Sequence, residues 1–394
     1  MLQALIFGSI YVLIFSGYYT VTGFLNIIYP ENGFWSFVCF YTTYAIFSLL
    51  APFFLSKINQ KLLFSLSGLS FVIFIGFASS KIFTLLLIGS LIGGIGNSFI
   101  WLIQGTYLSA NKEISMGVFY SLFNINMIFG NLISVIVLTT GASVQVMVWC
   151  MIGVSSLGTL LIFFFKYDPT IVENKNNEIE NKNILTKTKD VFLSFKQCDL
   201  IVLCMIYSSV GLNVTYQIIP RLILLTANTD KEIFNSVTYI TYGVSAIMAS
   251  FLWGKLFTKS WRYVLYPYTI LEILCLIGIF LLAKFNNIVY YWIIIGFIRG
   301  IIDYGVNNLI NLSLSNLPNP DNVFGLYRFV YSISYLITAI CVGYVPYEYV
   351  LLMCAIICVI ATISYSLGNY DFSKEIKEIT LEEQFNNSTI SVKN

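Results

Sequence analysis

Twelve runs of mostly apolar residues follow one another along this chain of 394 residues, each close to the length that crosses a lipid bilayer. A transmembrane helix needs about 20 such residues, because the hydrocarbon core is about 30 Å thick. Strand-like alternation is absent, which favours helices over a barrel. We predict an all-α membrane protein with twelve transmembrane helices. They are placed near residues 2–24, 34–55, 62–80, 82–110, 115–140, 144–165, 198–219, 234–257, 263–283, 288–312, 323–345 and 347–367.

The composition agrees with a membrane protein and excludes several functions. The chain is 58% hydrophobic and 10% charged, whereas a soluble domain is about 45–50% apolar and 25% charged. It has no histidine, and its eight cysteines form no C-x-x-C pair. We find no nucleophile–base pair, metal cluster or phosphate loop, so we predict no enzyme activity, no cofactor and no metal. The net charge of +2 comes with no basic patch, so we predict no nucleic-acid partner.

A polar segment divides the chain into two halves. Residues 174–183 are almost all Asn, Lys and Glu, a composition that cannot bury a core. We therefore predict a six-helix bundle at 1–165, a cytoplasmic linker at 166–197, a second six-helix bundle at 198–367 and a cytoplasmic tail at 368–394.

The distribution of basic residues predicts the orientation. With twelve helices, the termini and the even-numbered loops hold fifteen of the Lys and Arg residues, and the odd-numbered loops hold four. Basic residues concentrate on the cytoplasmic side of membrane proteins. Both termini and the linker are therefore predicted to be cytoplasmic. The sequence does not distinguish the plasma membrane from an endomembrane.

The strongest candidates for function are charged residues inside the apolar runs of the second half. Arg299 and Asp303 are four residues apart and can pair on one helix face, which Asn307 continues. Glu272 lies near the middle of helix nine, and Arg328 in the first turns of helix eleven. Charges at this depth are costly, and they often mark a solute site or a proton relay. A structural Arg299–Asp303 pair that locks helix ten to its neighbours explains the pattern equally well.

The first half has only uncharged polar residues inside its helices. Asn97, Trp101 and Gln104 recur at helical spacing and share one face, and Asn131 lies in the next helix. These amides could bind a neutral polar solute. Hydrogen bonds between helices are the more frequent role of such residues.

Two motifs carry a resemblance to a known family. The first is Trp101-x-x-Gln104-Gly105-x-Tyr107-Leu108, followed by Phe129-Gly130-Asn131-Leu132. The second is Gly300-x-x-Asp303-x-x-x-Asn307 in helix ten. Together they resemble the Unc-ninety-three-like branch of the major facilitator superfamily. The resemblance implies two pseudo-symmetric six-helix bundles, and it marks the Asp303 region as important without fixing its chemistry.

Two functional hypotheses follow. The first is a secondary transporter that moves a small solute by alternating access, since two halves with charges at mid-membrane depth are typical of such proteins. The second is a non-transporting partner of a membrane protein, either a regulatory subunit of an ion channel or a trafficking escort for a receptor. The family resemblance motivates the second hypothesis, because relatives include proteins of that kind.

Overall fold

The protein is described from a computed structural model, over residues 2–110, 116–165, 184–195, 201–226, 230–257, 262–285, 290–315, 317 and 320–367. The predicted tail and residues 166–183, 196 and 197 of the predicted linker lie outside these ranges. The first half contains α1 Leu2–Ile28, α2 Gly33–Lys57, α3 Gln60–Ser79, α4 Phe83–Ala110, α5 Met116–Phe123, α6 Ile125–Thr139 and α7 Val144–Phe164. Helix α8 Ile184–Leu193 follows. The second half contains α9 Ile201–Asn213, a π-helical segment Val214–Ile218, α10 Ile219–Thr226, α11 Lys231–Phe257, α12 Arg262–Phe285, α13 Tyr291–Ser315, α14 Pro320–Tyr344 and α15 Tyr347–Leu367.

The all-α membrane fold is as predicted. Within the described ranges, eleven helical stretches are long and apolar enough to cross a membrane. They include α5 with α6 as one span and α9 to α10 as another. Helix α11 occupies the place of the eighth predicted helix and has 27 residues. It is not among the eleven, and its described part carries two charged residues in the first turn and several Ser, Thr and Asn residues.

Two of the predicted continuous helices are interrupted. Asn124 forms a turn between α5 and α6, and its side-chain amide donates to Ser250 Oγ of α11 at 3.1 Å. The seventh predicted helix contains the π-helical segment, which ends two residues before Pro220. Proline has no backbone N–H to give to the residue four positions earlier, which disturbs regular α-helical bonding there. Single π-helical turns of this kind are frequent at functional sites.

Part of the predicted linker is helical. Helix α8 lies against α2 and α14, at the end of the bundle where α1 begins and α15 ends, here called the terminal end. Lys187 Nζ donates to the carbonyl of Pro52 at 3.4 Å, and Val191 is buried. The Phe192 ring meets Phe329 of α14 edge-on, with centroids 5.6 Å apart. These contacts tie the second part of the linker to both halves.

Close helix crossings depend on glycine, most clearly where α11 and α13 meet. A Cβ atom on Gly300 would overlap the backbone oxygen of Tyr242 and Ser245 Oγ. Because the first of these atoms is backbone, the helices themselves would have to separate. The same contact positions Arg299 and Asp303, which flank Gly300 on α13.

We expect Gly300→Ala to destabilise the protein by about 1–3 kcal/mol or more, since overpacking a tight contact forces backbone shifts. The measurement is the unfolding temperature of the purified protein in detergent. Gly153→Ala on α7 is the matched control, because nothing lies within 4 Å of a Cβ at that position. An unfolding temperature for Gly300→Ala equal to that of the control would contradict the close crossing.

Candidate functional site

A central cavity lies between the two halves and is lined mainly by tyrosines. Helices α1, α2, α4 and α5 form one wall, and α9, the π-helical segment, α13 and α14 form the other. The cavity offers about 50 Å³ to the centres of water molecules. Aromatic rings with hydroxyl tips offer both apolar surface and hydrogen bonds. The tyrosines are Tyr18, Tyr19, Tyr41, Tyr44, Tyr120, Tyr216, Tyr304 and Tyr331.

Arg328 is the one charged side chain among the described residues that line this cavity. It is 6% exposed, and its Nε and Nη2 atoms have no hydrogen-bond partner among the described residues. Its guanidinium carbon lies 4.6 Å from the ring centroid of Trp101 and 4.5 Å from that of Tyr327. The cation is thus held by aromatic faces, while two of its N–H donor atoms are left available.

Other buried polar atoms near Arg328 are also unpartnered within the described ranges. The Tyr44 hydroxyl and Asn97 Oδ1 line the cavity and make no hydrogen bond. Gln104, one turn from Trp101 on α4, is fully buried with neither amide atom bonded. Buried polar atoms are costly unless they bond. A polar occupant of the cavity would satisfy those that line it.

A second feature is a cluster of three buried charges on two helices. It lies behind the cavity wall that the second half forms. Arg299 Nη1 donates to both oxygens of Glu272, at 2.5 Å and 2.7 Å. Arg299 Nη2 donates to Asp303 Oδ1 on its own helix and to the carbonyl of Gly211 at 2.8 Å. All three side chains are at most 4% exposed. Two carboxylates share one guanidinium, so the cluster has one excess negative charge when both are ionised.

The π-helical segment completes this charge cluster. Thr215 Oγ1 donates to Asp303 Oδ2 at 2.8 Å and accepts from Arg299 Nε at 3.0 Å. Tyr242 of α11 donates to the same Asp303 oxygen at 3.1 Å, and Cys354 of α15 lies 3.6 Å from Glu272 Oε1. The charges on α12 and α13 are therefore contacted by groups from four further helical segments, and regular α-helical geometry at residue 215 would alter that arrangement.

Asn307 connects the charge cluster to the cavity. It lines the cavity, and its side-chain amide donates to the backbone oxygen of Asp303 at 2.9 Å. Its carbonyl oxygen accepts from Ser208 at 3.1 Å and from Tyr327 at 3.0 Å. Tyr327 in turn stacks with Arg328. Two side chains, Asn307 and Tyr327, therefore connect the helix turn that carries Asp303 with Arg328 in the cavity.

The two halves contact each other near both ends of the central cavity. At the terminal end, the Phe324 ring covers Gly105, and Thr106 Oγ1 donates to Asp321 Oδ1 at 3.1 Å. At the opposite end, the Phe34 ring packs against Gly343 and meets Tyr344 edge-on, with centroids 5.6 Å apart.

The structure brings together most of the predicted site residues. Asn97, Trp101, Asn307 and Arg328 line the cavity, and Glu272, Arg299 and Asp303 form the charge cluster behind it. Gln104 is buried one turn from the cavity wall. Asn131 lies outside the cavity lining and donates to the backbone of Met127 in its own helix, at 2.8 Å.

The tyrosines and Thr215 are the site residues that the sequence did not indicate. The chain has 27 tyrosines, and in membrane helices such residues are common as interface anchors. Periodicity gives no signal that separates a tyrosine in the core from one that faces a cavity. Thr215 is an uncharged residue inside an apolar run and gives no signal of its own.

Comparison with known proteins defines the class of this chain. Residues 2–339 match the Major Facilitator Superfamily, so the chain belongs to that family. No curated protein matches the chain.

Two solved structures illustrate the shared fold. One is the proton:xylose symporter XylE, with a TM-score of 0.64, 13% identity, and coverage of 92% of this chain and 94% of that one. Another is the nucleoside transporter NupG, with a TM-score of 0.65, 12% identity, and coverage of 94% and 99%. At these identities the likeness concerns the fold alone.

Proposed function

We propose that the chain is a secondary transporter that moves a small solute through the central cavity by alternating access. The cavity would open to one side of the membrane and then to the other, as the two halves rock about it. The structures with the same fold include a proton:xylose symporter and a nucleoside transporter, which supports this proposal. The contacts between the two halves at the two ends are the ones that would break in turn.

The observation that carries the proposal is the charge cluster of Glu272, Arg299 and Asp303. Three charges at no more than 4% exposure are expensive inside a membrane and are retained mainly where they serve transport. With two carboxylates and one arginine, the cluster can accept one proton and become neutral. We assign it the role of the coupling site, where binding or release of a proton accompanies solute movement.

Several other ionisable side chains face the charge cluster. They come from α9, α11, α12 and α15 and are all uncharged in their ordinary forms at neutral pH. Among the described residues, the ionised groups at this place are thus the cluster's own members. The others are Tyr207, Tyr242, Tyr268, Cys275, Cys354 and Cys358.

Infrared spectroscopy of the purified protein in lipid nanodiscs tests the coupling site without any solute. A carboxylic acid in a poorly hydrated site absorbs at a higher frequency than one in water. We expect a pH titration to show such a band in the wild type. The band should be lost or strongly reduced in Asp303→Asn or Glu272→Gln.

Glu31→Gln is the control, because Glu31 is exposed in the loop between α1 and α2. Its removal should leave the poorly hydrated band unchanged. A spectrum in which neither Asp303→Asn nor Glu272→Gln alters that band would identify the cluster as a permanent structural ion network. The coupling role would then be wrong.

The resemblance to the Unc-ninety-three-like branch suggests a second function, that of a channel subunit or receptor escort. The observation in its favour is that every buried charge in the described spanning helices belongs to the second half. Affinity purification from native membranes in mild detergent distinguishes the two functions. A channel or receptor at equal stoichiometry would favour the partner role, and recovery of the chain alone would favour transport.

A further inference from the structure

We infer that the transported solute is a small organic monoanion with a carboxylate group, which binds Arg328 and crosses the membrane together with one proton. This inference rests on the proposed function, because it names the solute class of the same cavity. It depends on two separate features. The first is the available guanidinium of Arg328 in the cavity, and the second is the sum of the buried charges.

The first feature is the guanidinium of Arg328. It is buried and faces the cavity, with Nε and Nη2 unbonded. Among the described residues that line the cavity there is no Asp or Glu to pair with it. The edge formed by Nε and one terminal nitrogen matches the two oxygens of a carboxylate. A buried cation in this state lacks an anion, and the nearby Tyr44 hydroxyl is also unbonded.

The second feature is the sum of the charges inside the membrane. The buried charges in the described spanning helices are those of Glu272, Arg299, Asp303 and Arg328, and they cancel when all four are ionised. A bound monoanion makes the sum −1, and one proton on the charge cluster restores zero. A dianion such as sulfate would leave one charge uncompensated.

This charge balance explains how movement of the two ions would be coupled. The empty protein and the protein with both anion and proton are neutral in the membrane interior. The protein with only one of them has an uncompensated charge, which is costly in a low-dielectric environment. Only the two neutral forms would change conformation readily. One proton and one carboxylate would therefore enter together from one side and leave together on the other.

The walls favour a small solute with some apolar surface. The cavity lining is mostly tyrosine, with Trp101 beside Arg328. In this structure the space for water centres is about 50 Å³, which is room for a few waters. Pyruvate is a suitable compact probe, and nicotinate is a suitable aromatic one.

Thermal unfolding of the full chain in nanodiscs tests the anion site with no proton gradient present. The probes are pyruvate and nicotinate, each compared with its neutral amide, together with inorganic phosphate and sulfate. We expect at least one carboxylate to raise the unfolding temperature of the wild type by a few degrees at about 100 times its Kd. Its amide, phosphate and sulfate should have little effect.

Three variants complete the test. Arg328→Gln should lose the carboxylate response, with binding at least about 10-fold weaker, whereas Arg328→Lys should keep part of it because the charge remains. Lys284→Gln, which removes an exposed charge at the end of α12, should respond as the wild type does.

Four outcomes would overturn the inference. They are a wild type that responds to neither carboxylate, an equal response to the amides, a carboxylate response that survives in Arg328→Gln, and a preference for phosphate or sulfate.

The anion site and the coupling site can fail separately. Carboxylate binding that depends on Arg328, with no titrating carboxyl in the infrared spectrum, would support the anion site and reject the coupling role. A titrating Asp303 without carboxylate binding would support the coupling role and reject the assigned solute class.

Discussion

Arg299→Met is expected to prevent the protein from folding stably. Arg299 is fully buried and is the cation that both Glu272 and Asp303 contact. Without it, two carboxylates remain in the membrane interior with no charged partner among the described residues. Removal of one partner from a buried ion pair costs about 3–5 kcal/mol, and here two pairs are lost at once.

Size-exclusion chromatography of a fluorescent fusion in detergent provides the measurement. Arg299→Met should give little monodisperse protein. The triple variant Arg299→Met, Glu272→Gln and Asp303→Asn should recover a folded peak, since it leaves no unpaired charge. Arg221→Met is the control, because Arg221 is exposed and donates to the backbone oxygen of Val342. A stable Arg299→Met protein would show that the ion network is not needed for folding.

Asp303→Asn is expected to abolish accumulation of solute against its gradient while leaving exchange intact. An asparagine resembles a permanently protonated aspartate, so the protein with a bound carboxylate stays neutral and can still change conformation. The empty protein then has an excess positive charge and cannot return. Net uptake stops, whereas exchange of solute inside for solute outside needs only the loaded form.

Proteoliposomes with radiolabelled pyruvate or nicotinate, whichever binds, give the measurement. For one-to-one coupling, a gradient of one pH unit supports accumulation of up to about tenfold. The wild type should approach that limit, and Asp303→Asn should reach only equilibration through exchange. Protein-free liposomes control for permeation of the protonated acid. Accumulation by Asp303→Asn equal to that of the wild type would exclude Asp303 as the coupling residue.

The fold and one part of the charge cluster were predictable from the sequence, because each depends on neighbours along one helix. Apolar runs of about 20 residues specify spanning helices. Spacing of four residues places Asp303 beside Arg299, and the structure forms that pair. Glu272 lies on α12, however, and no sequence spacing indicates that it contacts Arg299 on α13.

The rest of the candidate site depends on packing between helices, which a single sequence does not specify. Arg328 was predicted as a buried charge, but only the packing of α14 against α4 shows that it faces a cavity beside Trp101. The contacts of Asn124 and Thr215 involve side chains from distant helices. A hydropathy pattern contains no information about such partners.

The central claim is that the cavity opens alternately to the two sides of the membrane. The most direct test is the reactivity of Asn97→Cys, in the cavity wall, in a background where all eight native cysteines are replaced. A membrane-impermeant maleimide should label it from either face of sealed vesicles. Ser155→Cys, fully buried within the first bundle, should remain unlabelled from both. Labelling of Asn97→Cys from one face only, or from neither, would contradict alternating access.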